Sequence, residues 1–134
     1  MMKNATDLGL LTLRVITGLF MSFGHGIVKM PPSEKWITGV GELGFPLPAF
    51  FAWMAGFSEF FGGLLIASGL FTRPAAMLWM CTMGTAAFIR HADDPFSGKE
   101  KALLYLTLGL FFLIAGAGKY NLRNLLFKSE NPLL

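Results

Sequence analysis

Four ionisable side chains stand inside apolar runs of this sequence. Arg14, His25 and Lys29 lie within "LGLLTLRVITGLFMSFGHGIVKM", and Glu59 within "WMAGFSEFFGGLLIASGLF". In lipid, an ionised group costs about 2.5–3.5 kcal/mol on insertion scales, so it persists where it is paired, hydrated or used. A carboxylate gathered with guanidinium, imidazole and ammonium groups can hold a polar ligand or relay protons along a buried face. Arg14 and His25 are 11 positions apart, within about 20° of one helical face at about 100° per residue, and Gly18 and Ser22 share that face. Glu59 shares its own side with Ala52, Gly56, Gly63 and Ala67, a small-residue stripe that lets helix backbones approach closely in lipid. That stripe directs Glu59 towards another helix. If the two runs are antiparallel neighbours, Glu59 lies about 7 Å in depth from both Arg14 and His25 by helical rise. Arg14 is then its natural bidentate partner.

Each of these residues also has a plainer reading. A buried Arg–Glu pair can fix helix register and do nothing else. A lone His25 serves as a hydrogen-bonded structural histidine, and Lys29 can snorkel its ammonium to the interface. Met77, Met80 and Met83 read as packing rather than as a copper site. In "RHADDPFSGKEK", His91, Asp93 and Asp94 have metal-ligand chemistry but no metal-motif spacing, so the segment reads as a solvated loop and no metal is expected. His25, Lys29, Glu42, Arg90 and His91 are expected at one mouth of the helix assembly, walled by Phe23, Trp36, Phe45, Phe50, Phe51 and Trp53. Apolar walls with a few convergent polar groups suit an amphipathic ring such as a quinone headgroup.

Four elements must position these groups. Apolar runs at 8–30, 49–71, 74–90 and 102–118 approach the roughly 20 residues that cross a hydrocarbon core. Only a helix or a closed barrel satisfies its backbone there, so the expected fold is all-α: a single-domain, integral membrane four-helix bundle. "MPPSEKW" and "GFPLP" break the chain on either side of the first loop, Pro74 suits a first helical turn, and "GAGKY" ends the fourth run. In the tail, 119–134, Leu122, Leu125 and Leu126 fall at helical spacing beside Arg123 and Lys128, a pattern suited to the membrane surface.

Composition agrees. Hydrophobic residues make up 54% of the chain and charged residues 14%, too few to cover a small soluble core. The formal charge of +3 comes without a basic run, so nucleic acid is not an expected partner; the lipid bilayer is. Cys81, the single cysteine, allows no internal disulfide, CxxC pair or thiolate cage, and no phosphate loop, haem CxxCH or nucleophile elbow is present. The first run holds Arg14 and lacks a small-x-small cleavage site, so it reads as a retained helix. Four spans put both termini on one side. Lys3, Arg73, Lys119, Arg123 and Lys128 then face Lys29, Lys35, Arg90, Lys99 and Lys101, and Arg14 tips the balance towards cytoplasmic termini.

"LRVITGLFMSFGHGIVKM", "ELGFPLP", "AGFSEFFGGLLIASGLFTRPAA" and "KALLYLTLGLFFLIAGAGKYNL", in that order and over nearly the whole chain, resemble the DoxX family of small four-helix membrane proteins. The most specific pieces are His25-Gly26-x-x-Lys29, Glu59 followed by Gly62-Gly63, and Leu70-Phe71-Thr72-Arg73. The chain departs from the family's pattern at Lys119, Asn121 and Arg123, where an Arg, a Ser and an Asp are common. The resemblance implies a multi-pass inner-membrane protein with cytoplasmic termini, linked to redox work as a subunit of thiosulfate:quinone oxidoreductase type or of oxidative-stress complexes. It implies a redox partner protein or a homo-oligomer, and a quinone rather than any covalently held cofactor. Arg14, His25, Lys29 and Glu59 are the ligand or proton-relay candidates, with Glu42, Arg90 and His91 secondary. Two other readings remain open on the same residues: a small transporter or channel subunit, and a non-catalytic membrane adaptor.

Overall fold

Nothing between residues 2 and 29 stops a helix: the segment has no proline, and leucine, a strong helix former, is its commonest residue. In the computed structural model, which describes residues 2–127, it forms one rod. The rod begins as α1 (Met2–Met21), passes through a wide π-type turn at Ser22–Gly26 and tightens into a 3₁₀ turn at Ile27–Lys29 before Pro31 and Pro32. Within the expected first loop lies α2 (Glu34–Glu42), which Ser33 caps by accepting the Trp36 N–H at 3.2 Å. The capping signal, a serine three residues before the amide it accepts, is present in "PPSEKW".

The helix α3 (Pro48–Ser68) starts on a proline, which has no N–H to leave unsatisfied, and ends at Gly69. Gly69 takes φ of 78° and donates its N–H to Leu65 and Ile66 carbonyls, a left-handed cap that favours glycine. After two residues α4 (Thr72–Thr85) begins and runs on through a second π-type turn, Ala86–Arg90, closed by the His91 N–H donating to the Ala86 carbonyl at 2.9 Å. Then comes α5 (Phe96–Ala115), whose first turns take up much of the segment expected to be a solvated loop, and the short α6 (Leu122–Phe127). Every regular element among the described residues is helical. Lys128 and the remainder of the expected surface tail lie outside the described residues.

The long helices pack in the order α1, α3, α4, α5, with α2 laid against α3. Small residues set the closest approaches. A Cβ on Gly18 would sit 2.8 Å from Ala67, one on Gly63 would meet Ser22 and the Gly18 carbonyl, and one on Gly109 would lie 2.9 Å from Met80. Met21, Ile66, Ala76, Trp79 and Phe112, all fully buried, form the centre. The outside is as apolar as the inside: Phe20, Val28, Phe88 and Ile114 are each at least 65% exposed. A surface of this kind is a liability in water and ordinary in lipid. Among the described residues, two helical units, Met2–Lys29 and Pro48–Ser68, are long and apolar enough to cross a membrane.

Candidate functional site

The π-type turn at Ser22–Gly26 brings the end of the first rod onto α3. Gly26 is buried there, and a Cβ in its place would lie 2.7 Å from the Glu59 carbonyl carbon and 2.5 Å from the Phe60 Cα. Ser22 reinforces the approach by donating its hydroxyl to the Phe60 carbonyl at 2.7 Å. With the two backbones pressed together at this depth, Lys29, three residues beyond Gly26, reaches Glu59. Its Nζ lies 2.6 Å from Oε1 and 2.7 Å from Oε2, and Glu59 is 1% exposed. The partner of Glu59 is therefore Lys29 and not Arg14 as the spacing suggested. Nor does Lys29 snorkel away from the bundle; its ammonium turns inward to the acid.

Arg14 does other work. It is buried near the middle of the rod, level with the end of α3, where Nη1 donates to the Ile66 carbonyl at 3.1 Å and Nη2 to the Tyr120 carbonyl at 2.6 Å. These are carbonyls at two chain turns, one closing α3 and one following α5. A guanidinium with five fixed donors suits that task better than an ammonium. Asn121 holds the same corner by donating to the Gly118 carbonyl at 2.6 Å.

Lys29 and Glu59 sit on the wall of a cavity of about 600 Å³. Of the expected mouth residues, His25, Arg90 and His91 line it as well; Glu42 is exposed at the end of α2 and does not. Of the expected aromatic wall, Trp36, Phe45, Phe50 and Phe51 line the cavity, whereas Phe23 and Trp53 turn outward. Trp36, carried by α2, closes one side and lies under two cations: the Lys29 ammonium 4.9 Å and the Arg90 guanidinium 4.5 Å from its ring centre. Such contacts are each worth about 0.5–2 kcal/mol. His91 bonds through Nδ1 to Asp94 Oδ2 at 2.6 Å, which accounts for part of the His–Asp cluster without a ligand.

The sequence reading missed several lining groups. Tyr105 and Lys101, four apart on one face of α5, face the cavity from the helix opposite α3. That spacing is legible in the sequence, but Lys101 falls in the segment expected to be a solvated loop. Tyr105 packs edge-on against His25 (centroids 5.8 Å apart) and against buried Trp79 (5.6 Å). Ser58 and Thr82 meet across α3 and α4, with the Thr82 hydroxyl donating to Ser58 Oγ at 2.9 Å. Glu59 is the one carboxylate among the described lining residues, set against Lys29, Arg90 and Lys101. The result is an apolar, ring-lined chamber with several cationic or hydroxyl donors and a single strong acceptor. It can take a flat amphipathic molecule whose oxygens accept hydrogen bonds.

The comparisons with known proteins follow the same outline. The DoxX family model matches residues 9–92, which carry α1 to α4, including Arg14, His25, Lys29, Glu59 and Arg90. A Bacillus subtilis (strain 168) protein named "Putative oxidoreductase CatD" is 32% identical over 130 residues, covering 96% of this chain and 95% of that one. "Inner membrane protein YqjF" of Escherichia coli (strain K12) is 32% identical over 135 residues, with 95% and 98% covered. An uncharacterized protein of Haemophilus influenzae (Rd) is 35% identical over 124 residues, with 87% and 89% covered. No solved structure matches significantly. With the family's model spanning most of the helical core and relatives matched end to end, this chain is a membrane protein belonging to the DoxX family.

Proposed function

We propose that the chain is a quinone-binding membrane subunit of a redox system, with the quinone ring seated in the cavity beside Glu59 and Lys29. One observation carries this reading: a buried acid in a two-pronged ion pair faces a chamber whose apolar lining includes Trp36, Phe45, Phe50 and Phe51. A chamber of about 600 Å³ lies within the usual range for small-molecule sites, roughly 300–1,000 Å³. Quinone carbonyls accept hydrogen bonds, and Lys29, Arg90, Lys101 and Tyr105 supply donors; the hydroxyls of a quinol donate, and Glu59 is placed to accept. The name given to CatD, an oxidoreductase, fits this chemistry.

In this reading the four long helical units are all spans of a bacterial-type inner membrane, with both termini in the cytoplasm. Electrons are exchanged with a partner protein docked on the assembly. The test is equilibrium dialysis of a tail-free benzoquinol, kept reduced, against the protein in nanodiscs and against empty nanodiscs. Saturable 1:1 binding is expected, weakened at least tenfold by Glu59→Gln and changed less than twofold by Glu42→Gln. Loss of one charge-assisted hydrogen bond, about 1.5–3 kcal/mol, sets that lower bound. Binding that does not saturate, or that ignores Glu59→Gln, overturns the reading.

A further inference from the structure

His25, Lys101 and Tyr105 line two cavities at once. On one side is the main chamber; on the other is a second hollow of about 550 Å³, bounded by Thr17, Phe20, Leu104 and Leu108. The partition between the hollows includes the edge contact of the His25 and Tyr105 rings. The second hollow lies on the seam between α1 and α5. Elsewhere neighbouring helices close on one another through glycine: Gly18 and Gly63 between α1 and α3, Gly62 on Trp79 between α3 and α4, Gly109 on Met80 between α4 and α5. The seam between α1 and α5 has no comparable close approach, and its rim, with Phe20 and Leu104 more than half exposed, is apolar and open.

We infer that this seam is a lateral portal, through which the apolar tail of the ligand in the main chamber runs out among the lipid chains. The inference rests on the quinone reading and narrows it to a tailed, lipid-resident ring. A ring held beside Glu59 and Lys29 has two ways to lead a tail outward. One passes Arg90, His91 and Ser97, where an alkyl chain would strip water from charged and hydroxyl groups. The other passes the His25–Tyr105 edge into a hollow whose remaining walls are almost all carbon, and from there into lipid. Only the second exit leaves both the tail and the polar groups in surroundings they favour.

The test compares two probes in nanodiscs, a tail-free benzoquinone and the same ring carrying a decyl chain, on the wild type and on Leu104→Trp and Thr17→Trp. Each substitution fills the seam, one from α5 and one from α1, without touching the main chamber. The decyl probe should bind at least tenfold more weakly to both variants, while the tail-free ring stays within twofold and so reports that the variants are folded. If both probes bind the wild type and the filled seam affects them alike, or affects neither, the portal is refuted and the quinone reading stands. If neither probe binds the wild type, both fall.

Discussion

Removing Lys29 should destabilise the fold more than removing Glu59, and removing both should cost less than removing Lys29 alone. At 2.6–2.7 Å and an effective dielectric constant near 20, the two charges attract by about 6 kcal/mol before desolvation is counted. Glu59 is 1% exposed and the Lys29 side chain 24%, so the acid bears most of the burial. Lys29→Met strands a carboxylate inside the bundle, and breaking a buried pair in this way costs about 3–5 kcal/mol. Glu59→Gln leaves the amine with a route to the mouth and a neutral isostere behind, a loss of about 1–2 kcal/mol. In the double variant neither charge is left uncompensated, and the expected loss is about 1 kcal/mol. The cycle is measured by equilibrium unfolding in mixed micelles, titrating SDS and following tryptophan fluorescence. Additive losses, or a Lys29→Met loss below about 1 kcal/mol, would refute the pairing on which the site is built. Arg14→Met with Glu59→Gln serves as the contrast. If Arg14 were the true partner, the coupling would appear in that cycle instead.

Gly26→Ala should destabilise by about 1–3 kcal/mol in the same assay, because the added Cβ meets α3 backbone that cannot step aside; Gly9→Ala, with nothing within 4 Å, should be neutral or gain up to about 1 kcal/mol. Equal effects at the two glycines would deny the close approach of the first rod to α3. Arg14→Ala removes donors to the carbonyls of Ile66 and Tyr120, each bond worth about 1.5–3 kcal/mol. Limited proteolysis within residues 116–127 should therefore quicken at least tenfold, and an unchanged cleavage rate would show that Arg14 does not hold that corner.

Much of the fold could be read from the sequence because the relevant signals are long or strong. Runs of apolar residues identify long helices, and the stripe Ala52, Gly56, Glu59, Gly63, Ala67 identifies the face of α3 that meets a neighbour; the structure buries all of it but Ala67, which is half-buried. The choice of Glu59's partner went astray because depth counting treats a side chain as a point at its Cα. Lys29 lies several residues closer to the mouth than the depth match favours, but its four-carbon stem covers the difference, and Gly26 brings its backbone closer. Arg14 lies nearer in nominal depth, yet the carbonyls of Ile66, at the end of α3, and Tyr120, in the turn after α5, take its donors. The short helix α2 escaped notice for a different reason. Its nine residues, amphipathic but fewer than three turns long, do not stand out between prolines, although Ser33 marks its start.

What periodicity could not convey is where the helices stop being α-helices. Arg14, Gly18, Ser22 and Gly26 are buried at steps of four. At 100° per residue each such step drifts about 40° round the helix, so a strict α-helix would carry Gly26 about 120° away from the line of Arg14. The wide turn at Ser22–Gly26 accommodates more than the usual residues in one revolution and takes part of that drift back, which keeps the small face on α3 as far as Lys29. The second wide turn, Ala86–Arg90, lies where Arg90 comes over Trp36. Both departures thus occur where a helix must hand a cation to the cavity. Each uses small residues, Gly24 and Gly26 in one and Ala86 and Ala87 in the other, where side-chain bulk does not resist the wider backbone. The charged wall of the chamber depends on these two turns as much as on the identity of the charges.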